Sequence, residues 1–343
     1  MAINEVPQSP LEKRYGFAEQ SAWGTGVSQS GNYDELDCEH AEIRPDVKTI
    51  EQTVAHGTRT KRDGDIIYHK KRAMPTITLA MLAKQDELQH FLYAAMQSVS
   101  EGASTPYAKT FTLPTTQPNF ASSAGYFNTI VERDPSSGAV SKGMIDCVSR
   151  NLTITLNDGE ALKVSQEWIG RGYPAQTQQL TGTWTRNSAD YWWANDIARF
   201  TVNFGGGAVS LHLISFELVI AHDIVPVGQA SDGFGGAGSF KYPALVNRQL
   251  TWKVQVVKDS DFHTALTNWA GNTAVDIRLG WGNVTPGTTD GDLDFQIHGK
   301  IGDVEKNHDE IISGTLSGVC LESDDGNTEA IQVVMANAVD EEW

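Results

Sequence analysis

The side chains able to do chemistry in this 343-residue chain are 43 Asp and Glu, nine His and three Cys. Their spacing argues against catalysis. The histidines form no HExxH or HxH pattern that could grip a metal. No GxSxG nucleophile elbow and no GxxxxGK[ST] phosphate loop is present. The glycine-rich run Gly233-Phe234-Gly235-Gly236-Ala237-Gly238 leads to Pro243 and an extended stretch, not to the helix N-terminus that holds a phosphate. Asp290-Gly291-Asp292 lacks the ligand register and downstream Glu of a calcium loop and reads as a turn. Asp324-Asp325 and Glu341-Glu342 are neighbours in an acidic stretch, not carboxylates opposed across a cleft as glycoside hydrolysis needs. His56 and His222 end similar extended stretches, Thr53–His56 and Val219–His222, and are expected to be structural. Tyr191-Trp192-Trp193 is expected to anchor a core or a subunit contact. The chain is therefore expected to be no enzyme and to need no metal or cofactor.

Charge says more. The formal charge is −17, which disfavours general binding to nucleic-acid phosphates. Two segments stand out. Arg59, Lys61, Arg62, Lys70, Lys71 and Arg72 face only Asp63 and Asp65, whereas residues 301–343 carry eleven acids against Lys306. A basic protruding loop and an acidic region on one protein suit contact between copies. Cys38, Cys147 and Cys320 are odd in number and far apart, as expected of free thiols in a protein made in a cytoplasm. The first residues lack the basic and apolar regions of a signal peptide, and no apolar run reaches the length of a membrane span.

The elements that must position these residues centre on a strand-then-helix unit found twice, Pro75–Met96 and Leu250–Ala270. Ile77, Leu79 and Met81 alternate at period two, as do Trp252, Val254 and Val256. Helical stripes follow: Leu88, Phe91, Leu92, Ala95, Met96 and Val99, then Phe262, Ala265, Leu266 and Trp269. Gln85 or Asp86, and Asp259 or Ser260, stand where N-caps are needed. A long loop precedes each unit, and strands follow it. Leu152–Leu156, the turn Asn157-Asp158-Gly159 and the return over Leu162–Trp168 form the clearest hairpin. Ala274–Leu279 is aligned with Lys109–Leu113, and Leu293–Ile297 with Leu152–Leu156. The expected fold is mainly β: two tandem β-sandwich or barrel units, residues 1–175 with an N-terminal arm and residues 176–343, each with one flanking helix and a long loop.

The order of these elements resembles the major tail protein, or tail tube protein, of long-tailed phages. The resemblance rests on Gly16–Thr25 (GFAEQSAWGT), on Asn151–Trp168 (NLTITLNDGEALKVSQEW), on Ile214–Ala221 (ISFELVIA), and on DLDFQIHGKIG at 292–302 with AIQVVMANA at 330–338. It implies a virion tail protein, made in the host cytoplasm, whose rings stack into a conduit for DNA ejection. A tandem-duplicated chain implies trimeric rings with pseudo-sixfold symmetry. Implied partners are other copies of the chain, tape-measure, tail-terminator and baseplate proteins, and double-stranded DNA passing without specific binding. On this reading Arg59, Lys61, Arg62, Lys70, Lys71, Arg72, Gly233, Phe234 and Gly235 make contacts between rings. The strands holding Ile77, Leu79, Met81, Trp252, Val254 and Val256 line the lumen. Alternatives are a secretion-tube, tail-terminator or baseplate subunit, or a carbohydrate-binding β-sandwich.

Overall fold

The structure is a computed structural model that describes residues 14–21, 23–24, 26–27, 31–39, 41, 43, 48–51, 66–69, 75–114, 127–133, 143–172, 184–186, 190–204, 208–209, 211–227, 242–270, 274–283, 285–308, 312–323 and 328–338. In chain order its elements are β1 (Arg14–Glu19), β2 (Tyr33–Leu36), β3 (Lys48–Glu51), β4 (Ile66–His69), β5 (Thr76–Leu82), α1 (Leu88–Met96), β6 (Ser98–Glu101), β7 (Tyr107–Thr112), β8 (Asn128–Arg133), β9 (Gly143–Asn157) and β10 (Lys163–Gly172). They continue as β11 (Trp184–Arg186), β12 (Ile197–Asn203), β13 (Ala208–Val209), β14 (Leu213–Val227), β15 (Tyr242–Val257), α2 (Ser260–Ala270), β16 (Ala274–Trp281), β17 (Leu293–His308), β18 (Ile312–Cys320) and β19 (Ile331–Asn337). The protein is mainly β. No described helix is long and apolar enough to cross a membrane.

Seven antiparallel strands make one layer, in the order β5–β10–β9–β14–β15–β18–β17. Period-two patterning decides its faces. Met81, Val164, Ile154, Leu218 and Trp252 are directly opposite one another in successive strands, and all are buried. So are Leu156, Phe216, Val254 and Leu316. Other strands branch from the two long ones. The N-terminal part of β9 pairs with β8, which leads through β1 to β2. The N-terminal part of β17 pairs with β16 and β19, and β19 pairs with β7. Among the described residues the sheet is branched and does not close into a barrel.

Two three-strand groups in the layer share a register. Ile77 on β5 faces Trp168 on β10, which faces Ser149 on β9. Trp252 on β15 faces Gly318 on β18, which faces Ile301 on β17. A bulge follows in both long strands, skipping Arg150 in β9 and Gly302 in β17. This register corrects the alignments read from sequence. Leu152–Leu156 corresponds to the stretch beginning at Val304, not to Leu293–Ile297. The neighbour matching β16 is β8, not the strand at Lys109–Leu113. Both long strands carry the bulge at the same place, so it keeps them in step; the alignment read from sequence had set the N-terminal part of β17 beside the C-terminal part of β9.

The helices also depart from expectation. α1 is capped at Glu87, with no side-chain cap bond, and all nine of its residues are buried. It ends at Met96 because Gln97 turns left-handed (φ 65°), so Val99 falls in β6. Tertiary packing, with Phe91 against Trp168 at 6.2 Å, holds this short helix in place of a cap. In α2 the expected cap is present, since the Asp259 carboxylate accepts hydrogen bonds from the Asp261 and Phe262 amides, both at 3.0 Å. One continuous core runs from Tyr15 to Met335, and residues on both sides of position 175 contribute to it.

Candidate functional site

Among the described residues, the seven-strand layer turns one broad, regular face away from that core. Its residues follow from the same register. One row crosses the sheet as Leu82, Lys163, Thr155, Glu217, Lys253, Ser317 and Asp303. The next reads Ala80, Ser165, Thr153, Val219, Thr251 and Val319. A third reads Thr78, Glu167, Asn151, Ala221 and Gln249. A last row, toward the far end, holds Asn157, Ser215, Gln255 and Glu305, with Thr315 buried between the last two. The surface is thus mostly short hydroxyl and amide side chains, with Lys and acid interspersed.

Its charges are matched locally. Glu217 and Lys253 are direct cross-strand neighbours, the favourable arrangement for opposite charges. The Arg150 guanidinium lies 3.1 Å from the Glu167 carboxylate, and Lys163 Nζ 2.9 Å from Glu160. The hydrogen bond from Lys163, then that from Asn157, hold the exposed Glu160 carboxyl below its ordinary pKa. Large apolar groups break the surface only at isolated points, notably Leu82 and Val319, 40% and 44% exposed.

The six residues that mark the strands expected to form a lumen wall do not themselves lie on this face. Ile77, Leu79, Met81, Trp252, Val254 and Val256 are all buried and form the core side of β5 and β15. The strands are in the layer, but their polar partners in the alternation, such as Thr78, Thr251, Lys253 and Gln255, point the other way. That polar half was the signal the apolar reading passed over. The candidate inter-ring residues Arg59, Lys61, Arg62, Lys70, Lys71, Arg72, Gly233, Phe234 and Gly235 lie outside the described residues, as do His56 and the boundary near 175.

His222 sits in β14, buried, its Nδ1 3.1 Å from the Ser149 carbonyl oxygen to which it donates. Burial, and then the nearby Arg248 charge, push its pKa down to about 4. A neutral, buried imidazole bonded to backbone is structural. Trp192 is buried and donates to the Gly291 carbonyl at 2.9 Å, while Trp193 is 45% exposed and its carbonyl accepts from the Trp281 indole at 2.7 Å. The pair anchors the 190–197 segment. Cys38, Cys147 and Cys320 are free thiols, with burial raising the pKa of each.

The described residues hold no group of three or more His, Cys, Asp or Glu placed to bind a metal. In a cleft of about 350 Å³ lined by Asp276, Arg278, Gln296, His298, Glu329 and Gln332, the Asp276, Arg278, Gln296 and His298 side chains are already engaged. His298 Nδ1 is 2.5 Å from Asp276, and Arg278 Nε is 3.0 Å from Asp294. Compared with known proteins, the sequence matches no family model and no curated protein.

Proposed function

We propose that this protein is a structural subunit that associates with its own copies into rings stacked as a tube, as in the tail tube of a long-tailed phage. One observation carries the reading. The seven-strand layer has a continuous apolar core behind it and, in front, a broad polar face whose Lys residues are interleaved with acids. Such a face suits a channel wall past which DNA slides. It has no basic track to hold phosphates and no apolar strip to hold bases. The overall charge of −17 acts in the same direction.

The shared register of β5–β10–β9 and β15–β18–β17, bulges included, supports the reading of the chain as two tandem units. Trimeric rings with pseudo-sixfold symmetry follow from that reading. So do tape-measure, tail-terminator and baseplate proteins as partners, and a place in the virion tail. Negative-stain electron microscopy of the purified, concentrated protein tests it. Rings or tubes with an open centre are expected, and a persistent monodisperse monomer at millimolar concentration would sink the proposal.

A further inference from the structure

The turn between β9 and β10 and the loop that leads into β17 carry the same dipeptide, and the fold treats the two copies differently. Asp158-Gly159 and Asp290-Gly291 both have an exposed aspartate and a glycine at positive φ, 72° and 86°. The Gly291 peptide groups are tied on both sides. Its amide donates to the Ala336 carbonyl at 2.9 Å, and its carbonyl accepts from the Trp192 indole at 2.9 Å. The Gln85 side chain also fills the space where a Cβ would stand. Gly159 has none of these neighbours. Its amide makes no hydrogen bond among the described residues, nothing lies within 4 Å of its Cβ position, and the Asp158 carboxyl has no partner.

A free amide directly after an aspartate can attack that aspartate's own side chain. The Gly159 nitrogen is placed to close a five-membered ring on Asp158 Cγ, and glycine, with no Cβ, leaves the approach unhindered. In that step the bond from nitrogen to Cγ of the carboxylic acid forms and the Cγ–OH bond breaks. The amide proton leaves with the hydroxyl as water. Water then adds to one of the two ring carbonyls. Breaking the new bond to Cγ restores aspartate. Breaking the bond from nitrogen to the main-chain carbonyl carbon gives isoaspartate, whose chain runs through Cβ and Cγ and whose free carboxylate sits on Cα. The product has the composition of the parent, and no oxidant or other reactant is consumed.

We infer that Asp158 is a site of spontaneous isoaspartate formation in the folded protein, selected over Asp290 by the free amide of Gly159. The site has consequences because this turn joins three parts of the fold. The Glu160 amide donates to the Asn157 carbonyl at 3.0 Å, the Asp158 amide to the Ile214 carbonyl at 2.9 Å, and the Ala194 amide to the Glu160 carbonyl at 2.9 Å. An extra main-chain carbon between Asp158 and Gly159 breaks the first of these bonds and loosens the other two. The change is therefore a one-way ageing mark at the end of the polar face where β14 begins and the segment holding Trp193 is docked. It concerns the single chain and does not rest on the tube reading.

The test is incubation of the full-length protein in mildly acidic buffer, folded and in urea. Peptides are then read by electron-transfer fragmentation, which separates isoaspartate from aspartate despite their equal mass. In the folded protein isoaspartate is expected to accumulate at least about fivefold faster at 158 than at 290, since one net hydrogen bond must break before Gly291 can react. In urea the two rates are expected to converge. Equal rates in the folded protein, a faster rate at 290, or no isoaspartate at 158 while the urea sample converts would each overturn the inference. Asp158→Asn forms the same ring with ammonia leaving in place of water and is expected to speed the appearance of isoaspartate at 158. Asp158→Glu, which would need a larger ring, is expected to abolish it with the unfolding midpoint unchanged. Unaltered kinetics in the Asn variant would also overturn the assignment.

Discussion

At the scale of single residues the sharpest features are buried titratable groups that the open face does not use. Glu87 caps α1 from inside the protein, and burial raises its pKa to about 7, although Lys84 Nζ at 3.7 Å opposes the shift. The folded state holds this proton more tightly than the unfolded chain. Glu87 therefore lowers stability as pH rises from 4.5 to 7, by on the order of 3 kcal/mol in all. His222 acts with the opposite sign. Its pKa of about 4 means the unfolded chain binds the proton first, so stability is lost as pH falls from 6.5 toward 4. The two slopes nearly cancel in the parent protein. Thermal unfolding between pH 4 and 7 is expected to show a rising slope in Glu87→Gln and a falling one in His222→Gln. Parallel pH profiles for both variants would contradict the assignment.

Asp146 makes a second residue-scale case. It sits at φ 53°, fully buried, paired with Arg171, and accepts from the Gln20 amide at 2.8 Å and the Gly24 amide at 2.7 Å. Burial still raises its pKa, so desolvation outweighs the Arg171 charge. Arg171→Ala strands this carboxylate and is expected to cost about 3–5 kcal/mol in denaturant unfolding. Replacing both residues with an apolar pair is expected to cost less than that single change.

At the scale of elements, α2 lies on the layer where a glycine leaves room. A Cβ at Gly314 would run into the Phe262 ring of α2, and one at Gly318 would come within 2.6 Å of the Trp252 ring. Both glycines are in β18, where close approach is the reason for glycine despite its low strand propensity. Gly314→Val is expected to lift α2 off the layer and lower stability by about 1–3 kcal/mol, seen as a lower denaturation midpoint. Gly159, with φ 72° at the β9–β10 turn and nothing within 4 Å, needs glycine for its backbone alone. The seam between β7 and β19 is held differently. Lys109, fully buried, donates to Gln89 at 2.5 Å and Asn337 at 3.1 Å and lies 3.3 Å from Glu101.

At the scale of the whole molecule, one core is shared by residues on both sides of position 175. β14 supplies Phe216, Leu218 and Ile220 to a core shared with Leu152, Ile154 and Leu156. Residues 176–343 expressed alone would expose that strand edge and its apolar face, and are expected to aggregate or lack a cooperative unfolding transition. A soluble, cooperatively folding fragment would show that the halves are independent.

The sequence by itself determined the mainly β character, the two strand-helix units, the Asp259 cap and the hairpin at Asn157–Gly159. All are local: period-two alternation, turn chemistry and capping act within a few residues. Only the tertiary structure decided which strands share an edge. The pairing partners of β9 and β17 set Leu152–Leu156 beside the stretch beginning at Val304 and not beside Leu293–Ile297, and alternation alone does not say which part of a long strand a neighbour covers. The same holds for faces. Ile77 and Trp252 read as strand residues from sequence, but the choice between core and open surface depends on which side α1, α2 and the strands branching from β9 and β17 cover. Burial is a property of the assembled layer, whereas alternation is a property of the chain.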